Sequence, residues 1–171
     1  MSKKKELLKE SQEIIKKYNL ESHVEGGYFS EVYTASTFLP SSQRAIAGSI
    51  YFLLDQNDIS LFHRIDCEEI WFYHLGVGMN IYFVENDNKI SVRQLGIGEG
   101  QFPMVVVPKG TIFCAENVDC KGFTFISCIT APKFFYKGFE LITKKMCPNL
   151  PSEYEKFYSP ENVEIPKDDK K

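Results

Sequence analysis

Residues 61–76, LFHRIDCEEIWFYHLG, decide the fold. Apolar and polar residues alternate on either side of Asp66 and Cys67, which predicts two strands joined by a turn. His63 lies on the first strand and Glu69 near the start of the second, both against an apolar background. A histidine and a glutamate in this arrangement resemble part of a metal site, so the question is whether the remaining ligands are present.

Outward from this stretch, the chain consists of short strand-like runs separated by Gly, Pro, Asn and Asp. The runs cover residues 28–36, 48–54, 60–65, 69–76, 80–86, 89–96, 103–108, 111–117, 122–130 and 137–142. Asn86, Asp87 and Asn88 between two of them predict a hairpin turn. About ten strands at such regular spacing predict an all-β sandwich or barrel.

The two ends of the chain differ from this β region. Apolar residues at three- and four-residue steps over 3–18 predict an amphipathic helix, with Ser2 as its N-cap. From Pro148 onward, four prolines and many charges predict a short helix and a loose end. We therefore divide the chain into an N-terminal helix (1–20), a barrel (21–147) and a C-terminal tail (148–171).

Composition excludes several classes of function. The chain has 171 residues with 20 basic and 23 acidic side chains, and no basic patch interrupts this balance beyond the first 17 residues, so we expect no nucleic-acid partner. No apolar run reaches the length of a membrane span, so we expect no membrane partner. Five cysteines without a close CxxC pair predict reduced thiols and a cytoplasmic protein.

The strand run resembles a cupin, a jelly-roll barrel also described as a double-stranded β-helix. The first cupin motif places His, His, Glu and Gly at set intervals, and the second places Pro, Gly, His and Asn. Both spacings are matched here, the first by His63, Ile65, Glu69 and Gly76, and the second by Pro108, Gly110, Phe113 and Asn117. The resemblance implies that the conserved polar positions project into the barrel.

A narrower resemblance, over roughly residues 5–150, is to the uncharacterised fifth cupin family, related to sugar-epimerase-like cupins. The matching pieces are HVEGGYFSEVY (23–33), SIYFLL (49–54), FHRIDCEEIWFYHLG (62–76), VVVPKGTIFCAEN (105–117) and GFELITKKMCP (138–148). Val24 stands where that family usually has a proline, and Met104 where it tends to have a glutamine. The second difference is expected to alter a contact with the ligand.

The resemblance also gives the ligand set of a cupin metal site, which is three histidines and one glutamate. Here Ile65 and Phe113 take the places of two of those histidines, so only His63 and Glu69 remain. His74 lies five residues beyond Glu69, and strand alternation places it on the opposite face. His23 is left open as a further ligand. We expect no resident metal and no other cofactor.

By resemblance to metal-free sugar-nucleotide epimerases of cupin shape, His63 is the expected base and Glu69 its orienting partner. Tyr51 or Tyr73 is the expected acid, because a tyrosine completes the proton transfer in those enzymes. The expected ligand-binding residues are His63, Glu69, Trp71, Tyr73, Phe113 and Met104. A buried His–Glu pair without any catalytic role is an equal alternative.

Three functions therefore remain open. The first is a metal-independent isomerase or epimerase acting on a sugar-like or carbonyl compound, which requires His63 to face an open pocket. The second is a metal-dependent cupin enzyme such as a dioxygenase or lyase. The third is a non-catalytic module that binds a small polar molecule. By resemblance, a homodimer is also expected.

Overall fold

Eleven short strands form two antiparallel sheets in the computed structural model, which describes residues 6–168. Helix α1 (Lys9–Tyr18) precedes them. The strands are β1 (Glu21–Ser22), β2 (Tyr28–Thr34), β3 (Gly48–Leu54), β4 (Ile59–Ile65), β5 (Glu68–Gly76), β6 (Met79–Val84), β7 (Ile90–Leu95), β8 (Met104–Val107), β9 (Phe113–Asn117), β10 (Thr124–Ala131) and β11 (Phe139–Leu141). The 3₁₀ helices are Tyr136–Gly138 and Ser152–Phe157.

Strand order explains how the two motifs meet. One sheet has the order β1-β2-β3-β10-β5-β8 and the other β11-β4-β9-β6-β7. Strands β4 and β5 are consecutive in the chain but belong to different sheets, so the turn at Asp66 and Cys67 carries the chain from one sheet to the other. His63 and Glu69 therefore approach the interior from opposite walls.

The main core lies between the two sheets and is lined by alternate residues of each strand. Phe52 and Trp71 come from the six-stranded sheet, while Ile81 and Phe113 come from the five-stranded sheet, and all four are almost fully buried. Period-two alternation is what places one face of each strand in this core. The all-β barrel predicted from the spacing of the runs is confirmed.

The predicted helix and strands agree with the structure except at their ends. Helix α1 begins at Lys9 rather than at residue 3, and Ser2 lies outside the described residues. The carboxylate of Asp55 accepts hydrogen bonds from the Leu8 amide (3.3 Å) and the Ser11 hydroxyl (2.5 Å). A buried side chain of the barrel thus accepts the hydrogen bonds that fix the start of this helix. None of the helices within residues 6–168 has the length and apolar character needed to cross a bilayer.

Asn117, the last position of the second motif, holds the end of the barrel together. Its side-chain amide donates hydrogen bonds to the carbonyls of Leu54 (3.2 Å), Asp55 (3.0 Å) and Gly122 (3.1 Å). Because these bonds are buried, we expect Asn117→Ala to lower the free energy of unfolding by about 2 kcal/mol, measured by urea denaturation. Asn80→Ala, which removes a single partly buried bond to Gln94, is the control and should cost less than half as much. Equal losses would contradict the structural role of Asn117.

Candidate functional site

Four ionisable side chains converge inside the barrel. His63 projects from β4 and Glu69 from β5, while His23 and Glu25 come from the loop between β1 and β2. All four are buried: His63 is 2% exposed, Glu25 7% and Glu69 8%, and the His23 side chain is 7% exposed. Charged groups are rarely buried without a partner, so the contacts among them determine which forms they take.

Glu25 lies within ion-pair distance of His63. Its Oε2 lies 3.2 Å from Nε2 of His63, and its Oε1 accepts a 2.9 Å hydrogen bond from the Ser60 hydroxyl. The other imidazole nitrogen, Nδ1, lies 2.6 Å from the carbonyl oxygen of Leu61. A carbonyl oxygen only accepts, so Nδ1 carries a proton in every state. A single proton is then shared between Nε2 and Glu25.

His23 flanks the same carboxylate from the other side. The backbone N–H of Glu25 donates to its Nδ1 at 3.3 Å, so the ring proton is on Nε2. Nδ1 is 3.6 Å from Oε2 of Glu25, close enough for an electrostatic interaction. Within residues 6–168, Nε2 of His23 has no hydrogen-bond partner. This N–H is therefore available to a bound molecule.

Two glycines allow Glu25 to reach His63. Gly26 and Gly27 have φ values of 111° and 71°, in the region that favours glycine. A Cβ on Gly26 would lie 2.1 Å from the carbonyl oxygen of Ile59, so the loop approaches β4 closely only without a side chain there. A 2.8 Å hydrogen bond from the Leu61 amide to the Glu25 carbonyl fixes this approach.

Burial drives the His63–Glu25 pair toward its neutral form. It raises the pKa of Glu25, and it lowers the pKa of both His63 and His23. Loss of hydration disfavours the charged form of an acid and of a base alike. Both shifts favour a proton on Glu25 beside a neutral imidazole.

Glu69 is held separately on the opposite wall. Burial, and next the charge of Glu25, raise its pKa to about 7, whereas His63 and the Trp71 and Cys128 side chains lower it. Nε1 of Trp71 is buried and makes no hydrogen bond of standard geometry with any described residue. The pKa of Glu69 thus lies near neutral pH, beside a buried indole donor.

The side chains present do not fit the metal site of the resemblance. Ile65 belongs to an apolar cluster, and the Phe113 ring lies 4.2 Å from the His63 ring, filling the place of the third histidine. Nδ1 of His63 is occupied by Leu61. Across the described part of the chain, no group of three His, Cys, Asp or Glu side chains is arranged to hold one ion.

Three residues predicted for the site are not available to a ligand there. Tyr51 lies on the outer face of the six-stranded sheet and packs against Tyr18 and Phe125, because strand alternation turns Phe52 inward instead. Met104 is 48% exposed on the outer face of its strand. Tyr73 packs against the core, but its hydroxyl donates to the Gly76 carbonyl at 2.7 Å.

The other predicted residues do line the interior. Trp71 and Phe113 are buried in the main core, and Phe113 contacts His63. His74 is on the outer face, as its parity predicts, where its Nε2 lies 2.9 Å from the Ser127 hydroxyl. Glu25 was missed entirely. The only signal for it was the EGG sequence at 25–27, where two glycines after a carboxylate allow a close backbone approach.

The site is closed in this structure, contrary to the open pocket that the enzyme hypothesis requires. The ring of Phe139 lies 5.6 Å from that of His63, and the ring of Tyr136 lies 6.2 Å from that of His23. Outside this wall is a surface cleft of about 500 Å³. It is lined by Arg64, Ile65, Asp66, Lys109, Gly110 and the segment 137–140.

Comparison with known proteins gives a consistent result. Residues 12–142 match the family described as cupin superfamily, DUF985. The crystal structure of a Shewanella oneidensis protein is 33% identical, with 88% of this chain and 98% of that chain covered and a TM-score of 0.80. A hypothetical protein from Leishmania major is 25% identical, with coverages of 87% and 98% and a TM-score of 0.76.

More distant similarity concerns the fold alone. A mutant of Bacillus subtilis oxalate decarboxylase is 19% identical, with 77% of this chain and 32% of that chain covered and a TM-score of 0.53. No curated protein sequence matches this chain. Fold likeness at this level does not transfer an activity, because barrels of this type host many unrelated reactions.

Proposed function

Because this chain belongs to the DUF985 family of the cupin superfamily, we propose that its barrel binds a small polar molecule and moves a proton on it without a metal ion. The observation that carries this proposal is the 3.2 Å contact between Nε2 of His63 and Glu25, with Nδ1 of His63 held by a carbonyl. Because its Nδ1 is hydrogen-bonded to a carbonyl, the imidazole of His63 can exchange a proton only at Nε2. Such a restriction suits general acid–base catalysis.

The contacts suggest a division of roles. Since Glu25 occupies His63, Glu69 is free to act as the base, and its pKa of about 7 suits proton abstraction at neutral pH. Glu69 removes a proton from a carbon beside a carbonyl, and the C–H electron pair moves into the new enol. The His63–Glu25 pair gives its proton to the carbonyl oxygen. Glu69 then returns its proton to the adjacent carbon of the enediol while a hydroxyl gives a proton back to the His63–Glu25 pair, which completes an isomerisation and restores both groups.

The cleft outside the wall favours an anionic substrate. Arg64 is paired with Glu140 at 2.5 Å, and Asp66 with Arg44 at 2.8 Å, so these charges largely cancel. Lys109 and Lys137 line the same cleft. The ammonium group of neither lysine forms an ion pair with an acidic side chain within residues 6–168. A carboxylate or phosphate group on the sugar or carbonyl compound would satisfy both, so we propose this substrate class.

Burial of the site favours a second candidate, which is a module that binds without catalysis. His63 is 2% exposed, and a buried polar pair whose members also hydrogen-bond to Ser60 and Leu61 can belong to a core without any chemistry. The two candidates differ in whether a bound molecule ever exchanges a carbon-bound hydrogen.

Hydrogen exchange tests the proposal directly. The protein is incubated in D₂O with a panel of phosphorylated and carboxylated sugars and keto acids, and deuterium on carbon is followed by NMR. We expect incorporation into at least one compound, lost in Glu69→Gln and His63→Gln but kept in His74→Gln, whose imidazole is on the outer face. Binding of a compound without any incorporation would support the non-catalytic module instead. Identical incorporation by all variants would exclude this site.

We also propose that the protein forms a homodimer. Met104 and Val106 are exposed apolar residues on the outer face of β8, a strand at the edge of its sheet. Exposed apolar side chains of this kind often mark contacts between subunits.

A further inference from the structure

The wall over the buried site is the segment that follows β10 and ends at Phe139, the first residue of β11, which pairs with Ile65 of β4. Residues 134–139, called the cover here, place the ring of Tyr136 against His23 and the ring of Phe139 against both His23 and His63. Solvent reaches the cover from two sides. A cleft of about 300 Å³ lies between Tyr136 and residues 166–168, and the cleft of about 500 Å³ begins at Lys137. The cover is thus a thin partition between surface clefts and the imidazoles.

The C-terminal tail holds the cover in place through one carboxylate. Asp168 accepts backbone hydrogen bonds from Tyr136 (2.5 Å) and Lys137 (3.0 Å), the first two residues of the 3₁₀ helix in the cover. These N–H groups have no partner inside so short a helix, so the carboxylate satisfies donors that are otherwise left to water.

Apolar contacts hold the same tail against the cover. Val163 and Ile165 are half-buried and pack on the cluster formed by Ile65, Cys67, Phe139 and Leu141. This cluster includes the cover residue Phe139, which contacts His63. Val163, Ile165 and Asp168 therefore all act on the cover, while the intervening Glu164 is exposed and forms no hydrogen bond or ion pair with a described residue.

We propose that residues 160–168 form a strap whose release lets the cover move and opens the route from the clefts to His23 and His63. This inference rests on the proposed function, because it supplies the access that a reaction at the buried site requires. The strap is held by two hydrogen bonds to Asp168, two half-buried side chains and an exposed 2.8 Å ion pair between Glu161 and Lys145, a set of contacts that is weak enough to open without unfolding the barrel. Its position next to Lys137 places the opening at the cleft that favours anions.

Carbethoxylation of histidine tests the strap without any ligand. The protein contains three histidines, and diethylpyrocarbonate modification of each is followed by peptide mass spectrometry. His74 is exposed and serves as the internal standard. In the full-length variants Asp168→Ala and Val163→Ser/Ile165→Ser, we expect His23 and His63 to react about tenfold faster than in the parent, with no change at His74. Glu164→Gln, a change on the same strap, should match the parent.

A second measurement separates release of the strap from general loosening. Cys114 is fully buried in a different cluster, on the far side of the five-stranded sheet, and a maleimide should leave it unlabelled in every variant. Unchanged rates at His23 and His63 in both variants would overturn the proposal. So would rates that rise only together with labelling of Cys114. Neither outcome depends on hydrogen exchange by the parent, so the strap and the proposed reaction fail independently.

Discussion

Replacing Glu25 by alanine should lower the free energy of unfolding by about 3–5 kcal/mol, the largest loss of stability that we expect from a single change at the site. The substitution removes the partner of His63 Nε2 and the acceptor of the Ser60 hydroxyl, and both of these groups are buried. Unpaired buried polar groups lose their hydration without compensation. Urea denaturation at pH 7, followed by the fluorescence of Trp71, measures the effect.

Glu25→Gln is the informative comparison. Burial raises the pKa of Glu25 and so favours its protonated form, and a glutamine amide can donate to Nε2 of His63 while its oxygen still accepts from Ser60. We therefore expect this variant to lose no more than about 1 kcal/mol. It should nevertheless abolish hydrogen exchange, because an amide has no proton to transfer. A loss of stability as large as that of the alanine variant would mean that Glu25 is ionised and His63 is an imidazolium.

Glu69→Gln should make the protein more stable than the parent as the pH rises. Glu69 has a folded-state pKa of about 7, above the usual value near 4.5. A raised carboxyl pKa contributes stability below the unfolded value, and this contribution is lost as the pH rises through the folded value. At about 1.4 kcal/mol per pKa unit, the parent loses about 2–3 kcal/mol relative to the variant between pH 5 and pH 8.

The comparison of the two proteins removes the pH dependence that they share. His23 and His63 have lowered pKa values, so they destabilise both proteins as the pH falls below 6.5, and the remaining difference comes from Glu69 and its interaction with His63. Glu68→Gln, on the exposed neighbour in the same strand, should differ from the parent by less than about 0.5 kcal/mol at either pH. A pH-independent difference for Glu69→Gln would show that Glu69 does not titrate in this range.

Much of the barrel could be predicted from local pattern. All ten predicted runs begin and end within three residues of a strand, and the hairpin at 86–88 has Asn88 in the left-handed conformation that such a turn requires. The start of helix α1 could not be predicted in this way. It depends on Asp55, a residue more than 40 positions away along the chain.

The site shows the same division between local and long-range information. Spacing within the motifs correctly places His63, Glu69, Trp71 and Phe113 in the interior. The pairing of His63 with Glu25 depends instead on how a loop before β2 folds against β4, which strand periodicity does not describe. Position in the sequence therefore predicts which residues face inward, but not which of them touch.

Strands β4 and β5 belong to different sheets, and this has a mechanical consequence. His63 and Glu69, which are proposed to donate and to accept the proton, therefore lie on different sheets of the barrel. A two-residue turn joins the two strands directly. Arg44 anchors that turn through both oxygens of Asp66. A shift of one sheet relative to the other by a fraction of an ångström would change the distance between His63 and Glu69 that a substrate spans. Substitutions at distant packing positions can then slow turnover while leaving every group in the site chemically intact.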